Sequence, residues 1–237
     1  MAATEERTPL RIDLFADIVC PWCFLGGERL ERVLAELGRP AEVVHHPFML
    51  NPNTPEEGDD VRARLQRKYG VPPEQLWARL EAEARKSGLE LDLSKQRLSY
   101  PTARAHALLQ AADAKGTQRA LSRALYQAYF QQARNINDPA VLADVAAAHG
   151  FSADEVARIT GDAGALGEAR DEARAAAAAG ISGVPFFVFS ERVAVAGAQP
   201  EEVLRQAIEQ ADATAGQNPE RDPGRGPACD PEHDPEP

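Results

Sequence analysis

The sequence predicts an α/β protein in two halves, β-α-β and β-β-α, with a large helical domain inserted between them. Three observations carry this. An apolar, strand-like run from Leu10 to Val19 passes straight into Cys20-Pro21-Trp22-Cys23 and a helical pattern over Phe24 to Leu34. From about Asp59 to Ala179 the signals are almost entirely helical. Strand patterns then return at Val184–Phe189 and Arg192–Ala196, ahead of a last helical stretch. Apolar residues recur every second position in a strand and about every 3.6 in a helix, so each switch of period marks a change of element.

Taken in order, the first strand is expected over about residues 10–17. The helix opened by Cys20 runs to Leu37, where Gly38 stops it. Ala41–Phe48 reads as a second strand, ended by Pro47, and Met49–Gly58 as a Pro/Asn-rich loop. Inside the helical block, Asp59 or Asp60 caps a helix ending near Gly70. Pro72–Ser87 is stopped by Gly88 and Thr102–Lys115 by Gly116. Gln118–Ala133 carries Leu121, Leu125 and Tyr129 at helical spacing. Asp138-Pro139 pairs a cap with a proline that suits the first helical position, and that helix stops at Gly150. Ser152-Ala-Asp-Glu155 is a capping box, and alanine-rich Glu168–Ala179 closes the block. Ser190-Glu191 is a two-residue hairpin turn between the returning strands, and Pro200–Ala211 is the final helix.

This order is that of a thioredoxin fold with a helical domain spliced into its middle. The expected divisions are 10–57 for the first half, 58–179 for the insert and 180–214 for the second half. Residues 215–237 form an acidic tail with proline at 219, 223, 227, 231 and 235 and few large apolar side chains, the composition of a solvated segment.

Composition excludes several function classes. With 43% hydrophobic and 27% charged residues in 237, the chain reads as soluble and globular. No apolar run approaches the roughly 20 residues of a membrane span. The net charge of −11 and the lack of a basic stripe argue against nucleic acid. Residues 1–10 have no apolar core and carry early acidic side chains, so no secretory leader is read and the cytoplasm is the expected compartment. There a close cysteine pair is catalytic or metal-binding rather than structural.

Cys20 and Cys23 form that pair, and Cys229 in the tail is the third cysteine. A helix start offers unpaired N–H groups and a partial positive charge, both favouring a thiolate at Cys20. Cys23 follows on the same helix face, placed to close a disulfide. Pro21 fits the first turn, where a missing N–H costs little. Trp22 beside the thiols is expected to offer an apolar contact to substrates. Val184-Pro185 begins the strand that returns to the same sheet. A cis bond there is the sharper reading, with the Val184 backbone left to pair with an extended substrate. A zinc reading competes: Cys20, Cys23, Cys229 and His233 would complete a Cys3His set, but the tail composition and the strand-to-helix setting favour no metal. Cys229 is also a candidate regulatory thiol, since a tail can bring it to the pair at a closure cost that grows slowly with length. Asp17, three residues before Cys20, either accepts the Cys23 proton or faces solvent. His45 and His46 are expected to be one packed and one exposed, and His106 to be a packing residue.

Asp17-Ile-Val-Cys-Pro-Trp-Cys-Phe-Leu-Gly26, Pro47-Phe-Met-Leu-Asn-Pro52, Ala105-His106, Gly180-Ile-Ser-Gly-Val-Pro-Phe-Phe187 and Gly197-Ala-Gln199 together resemble the DsbA-like oxidoreductases of the FrnE type, over about residues 10–212. Their relatives include 2-hydroxychromene-2-carboxylate isomerase and the kappa-class glutathione transferases. The resemblance implies Cys20 as nucleophile, Cys23 as resolving thiol and Pro185 as a cis-proline, with Asn51, Val184 and Gln199 lining a substrate or thiol-ligand groove. FrnE-like chains often carry Asn-Thr shortly before Ala-His, whereas this chain has Pro101-Thr102, so no role of that asparagine transfers. DsbA itself has histidine between its cysteines; Trp22 supplies no charge, so a milder couple is expected.

The expected function is cytoplasmic thiol–disulfide exchange with protein or small-molecule thiols and no bound cofactor. A glutathione-dependent isomerase or transferase, with glutathione as co-substrate and a small aromatic or polyketide-like substrate, is the main alternative. A zinc- or client-binding chaperone without turnover is another.

Overall fold

A computed structural model describes residues 8–215. Its central sheet has the order β2-β1-β5-β6, with β1 Leu10–Ala16, β2 Ala41–Pro47, β5 Phe186–Phe189 and β6 Val193–Ala196. β1 pairs with β2 in parallel, Ile12 opposite Val43, and with β5 antiparallel, Leu14 opposite Phe187. The parallel pair needs a crossover, which α1 (Pro21–Leu37) provides. The antiparallel β5–β6 pair turns through Ser190 and Glu191, at φ +49° and +58°. Two successive left-handed residues match the twist of a tight hairpin. The strand order and crossover are those of the expected thioredoxin fold, mixed α/β and rich in helix.

The alternation along β1 divides the interior into two layers. Ile12 and Leu14 join the main core with Phe24, Leu30 and Val33 of α1, and with Leu204 and Ile208 of α9 (Glu201–Ala215). Phe15, on the opposite face, packs on a second cluster of Phe48, Ala176 and Ile181. That cluster brings in α8 (Ala163–Ala178), the last helix before β5.

Between β2 and β5 the chain forms α2 (Val61–Tyr69), α3 (Pro73–Lys86), α4 (Ala103–Asp113), α5 (Gln118–Tyr126), α6 (Pro139–Ala147), α7 (Ala153–Gly161) and α8. The caps act as their chemistry requires. Asp60 accepts from the Ala63 N–H, Asp138 from Ala140, and Ser152 and Glu155 make both bonds of a capping box.

Four details differ from expectation. β3 (Asp59–Asp60) pairs with β4 (Leu98–Ser99), a short ladder inside the helical block. Helix α8 starts at Ala163 rather than Glu168, because the Asp162 carboxylate caps the Gly164 N–H. The helix read over 118–133 changes at Tyr126 into a π-helical turn, Gln127–Gln131, a local widening that re-aims side chains. His45 and His46 are both half-buried and both engaged: the His45 ring lies 3.2 Å from Ser122 Oγ, and His46 bridges Asp13 and Glu172.

Candidate active site

The cysteine pair sits where β1 hands over to α1. After Ala16 a turn closes with the Cys20 N–H donating to the Asp17 carbonyl at 3.0 Å. Cys20 takes the N-cap position with extended backbone, and Pro21 occupies the first turn. The Cys20 carbonyl accepts the Cys23 N–H at 3.0 Å, starting the helix. No acidic side chain stands in that first turn to offset the helix's positive end. Both cysteines are free thiols.

The two sulfurs have different surroundings. Cys23 is fully buried, and that burial, reinforced by the neighbouring Cys20 thiol, pushes its pKa well up; a hydrogen bond from the Asp17 backbone acts the other way. Cys20, itself only 4% exposed, borders a cavity, and its Sγ lies 3.8 Å from the Val184 carbonyl oxygen. The Val184–Pro185 peptide bond is cis. Pro185 in turn meets α1 at Gly26, where the absence of a side chain lets the helix approach the strand.

The cavity measures about 1090 Å³. Cys20, Pro21, Trp22, Asn51 and Val184 border it on the sheet side, so these expected site residues are brought together. Gln199 is not: it is exposed, outside the cavity wall, and its Nε2 donates back to the Ala196 carbonyl at 2.8 Å. Its carbonyl and that of Ala198 accept from Arg29, a buried guanidinium on α1 that also donates to Ser87 Oγ. Cys229 and His233 lie outside the described residues, and among the described residues no group of three or more His, Cys, Asp or Glu side chains could hold a metal ion.

The surroundings of Asp17 and His106, whose alternatives the sequence leaves open, are decided by the fold. Asp17 does not face solvent. It is 1% exposed; one carboxylate oxygen accepts the Leu50 N–H at 2.8 Å, while the other has no hydrogen-bond partner and lies 3.5 Å from His106 Nε2. His106 is 3% exposed, and that Nε2 is equally without a hydrogen bond. Tyr126 stacks on Phe24 with ring centres 5.3 Å apart and donates weakly to the Asp17 carbonyl at 3.4 Å. Burial raises the Tyr126 pKa well above its ordinary value, so it remains a neutral donor beneath the cysteines. Tyr129 and Phe130, turned by the π-helical segment, form part of the cavity floor. Their helical spacing was visible; their meeting with residue 17 or 20 depends on the fold.

A family model for the DsbA-like thioredoxin domain matches residues 11–209. The chain belongs to the DsbA-like thioredoxin family. Among solved structures it is similar to a Streptomyces coelicolor protein described as a probable DsbA oxidoreductase. The two share 37% identity over 86% of this chain and 90% of that one, with a TM-score of 0.76. This DsbA-like chain also shares its fold with 2-hydroxychromene-2-carboxylate isomerase, at 16% identity, 87% and 98% coverage and a TM-score of 0.67. A third neighbour is the cytosolic disulfide reductase DsbM of Pseudomonas aeruginosa, solved with GSH, at 20% identity, 88% and 98% coverage and a TM-score of 0.59. No curated protein matches the chain. Among the described residues no helix is long and apolar enough to cross a membrane.

Proposed function

We propose that this member of the DsbA-like family is a cytoplasmic thiol–disulfide oxidoreductase acting through Cys20 and Cys23. The observation that carries the reading is the environment of Cys20: a sulfur at a helix N-cap, at the edge of a cavity and set against the Val184 carbonyl. In the reducing direction, the Cys20 thiolate attacks a substrate disulfide RS–SR′. A Cys20–SR bond forms and R′S⁻ leaves. Cys23 then gives up its proton and attacks the Cys20 sulfur; RS⁻ leaves and the Cys20–Cys23 disulfide closes. The substrate gains two electrons and the protein loses two, so a thiol reductant must restore the dithiol. The reverse sequence oxidises substrate thiols, and the relative potentials set the direction.

The difference between the cysteines suits these roles. The sulfur at the cavity edge meets substrate, while the deeper one, its pKa raised, is held as a thiol until the mixed disulfide forms. The unpartnered oxygen of Asp17 is the nearby group suited to accept the Cys23 proton. The cytoplasmic assignment draws on the similarity to the cytosolic disulfide reductase DsbM.

The test is insulin-disulfide reduction and oxidative refolding with the wild type, Cys20→Ser and Cys23→Ser. Activity in the wild type, lost in both variants, is expected; equal behaviour of all three sinks the proposal. A second reading, a glutathione-dependent isomerase or transferase, takes support from two fold neighbours, 2-hydroxychromene-2-carboxylate isomerase and DsbM with GSH. It predicts glutathione binding and turnover that survives Cys23→Ser.

A further inference from the structure

The cavity beside Cys20 has a charge opposite to that of the chain. Overall there are 37 acidic residues against 26 Lys and Arg. In the cavity wall the balance reverses: Arg64, Arg67, Lys68 and Arg79 line it, with Asp59 as the single carboxylate. Arg67 approaches Asp59 at 3.5 Å, whereas Arg64, Lys68 and Arg79 have no ion-pair partner among the described residues. These cations come from α2 and α3, so the helical block supplies the charge and the sheet supplies the thiol. The cavity lining also includes the apolar and aromatic side chains Trp22, Leu65, Tyr69 and Trp77.

We infer that the cavity selects acidic polypeptide. The bound segment would place its cysteine at Cys20 and its Asp or Glu side chains against Arg64, Lys68 and Arg79. This names the substrate class for the oxidoreductase reading above and rests on it. Two features favour a polypeptide over a small anionic thiol. The volume of about 1090 Å³ lies at or beyond the upper end of small-molecule pockets, about 300–1000 Å³. The backbone of Ser182–Val184 borders the cavity ahead of β5, which starts at Phe186, so an extended chain has main chain beside which to lie.

Exposed ion pairs are individually weak and screened by salt, so selectivity must come from several acting together. Such a wall also raises the encounter rate of oppositely charged chains against a background that otherwise repels them.

The test is fluorescence anisotropy with the full chain carrying Cys20→Ser and Cys23→Ser. The probes are short labelled peptides, matched in apolar residues, with serine in place of cysteine and flanked by Glu, Gln or Lys. The Glu peptide is expected to bind about tenfold more tightly than the Gln peptide, with the Lys peptide weakest and the preference fading at high salt. Reversing the wall with Arg64→Glu, Lys68→Glu and Arg79→Glu together should invert the order. Equal binding of the three peptides, or a Glu preference insensitive to salt, overturns the inference, and these readouts stand even if the triple variant fails to fold. Specific binding of reduced glutathione without any charge preference among the peptides also overturns it. Because no turnover is measured, an inert Cys20 would sink the oxidoreductase reading through the insulin assay while this result is read separately.

Discussion

A Cβ placed on Gly26 would lie 2.9 Å from Cγ of Pro185, and 3.2 Å from Cζ of Phe187. The helix that Cys20 caps and that carries Cys23 therefore meets Pro185, at the entry to β5, through bare backbone one turn after Cys23. Any side chain at residue 26 must push α1 away from β5 and widen the space between Cys20 and Val184.

Gly26→Val is accordingly expected to destabilise the fold by about 1–3 kcal/mol, the usual cost of overpacking. A Cβ on the adjacent Gly27 would meet nothing within 4 Å. Gly27→Ala should be neutral or stabilising by up to about 1 kcal/mol through helix propensity. Urea midpoints of the two variants check this, and a Gly26→Val midpoint equal to wild type would refute the close-approach argument.

The contrast between the sulfurs predicts which one reagents find. In the folded, reduced protein iodoacetamide should modify Cys20 and spare Cys23, which has no exposed surface. Peptide mapping by mass spectrometry reads the result, with labelling of Cys23 expected only after unfolding. Cys23→Ser should accumulate mixed disulfides on Cys20, because the resolving attack is removed. Early labelling of Cys23 in the native protein would contradict the burial described here.

Asp17 offers a test of proton transfer. Its unpartnered oxygen and His106 Nε2 face each other at 3.5 Å in a region closed to solvent. Asp17→Asn keeps the shape and the acceptor for the Leu50 N–H but cannot take a full proton. The variant is expected to form the mixed disulfide at the wild-type rate and to release it about tenfold to a hundredfold more slowly, at the lower end of general-base effects. Stopped-flow single-turnover measurements separate the two steps, and an unchanged release rate removes Asp17 from the chemistry.

The His46 bridge predicts a pH optimum of stability. Its ring reaches Asp13 at 2.8 Å and Glu172 at 2.7 Å, joining β2 to β1 and α8. Burial pulls the His46 pKa down, but the hydrogen bonds to Glu172 and Asp13 outweigh it and raise the value above its ordinary one. Asp13 is lowered, because its bonds to Arg11 and His46 outweigh burial, and Glu172 is lowered chiefly by His46. A raised histidine contributes stability that is full below its unfolded value of about 6.5 and is lost as pH rises through the folded value. The lowered acids contribute above their unfolded values of about 3.9–4.3, and lose it as pH falls through the folded ones. The bridge is thus strongest between about pH 4.5 and 6.5. The difference in Tm between wild type and His46→Gln should peak in that window and shrink toward alkaline pH. A difference that grows with pH would reverse the assignment.

Much of the site was legible in the chain because its signals are local. A cysteine at a helix start, a proline in the first turn, the Ser152–Glu155 capping box and the Ser190-Glu191 turn each act within a few residues, and each stands where its chemistry puts it. The two-half pattern around a helical block also follows from periodicity, since a change of apolar period needs no knowledge of the partner surface. The misread parts depend on what those elements meet. Gln199 carries a family pattern, yet its amide folds back on Ala196 because Arg29 holds the neighbouring carbonyls. The β3–β4 ladder joins two dipeptides that lack any strand signal of their own.

By itself the sequence determined the thioredoxin-like order of elements, the cysteine pair at a helix N-terminus and the proline that returns beside it. Tertiary structure alone decided that Cys20 borders the cavity while Cys23 has no exposed surface, that Asp17 meets His106 in the interior, and that an acidic chain lines the cavity beside Cys20 with basic side chains. The reason is physical: caps, turns and periodicity are set by neighbours along the chain. Burial, desolvation and local charge are set by residues brought from 60, 90 or more positions away, as with Asp17 and His106, and no short window of sequence contains both partners.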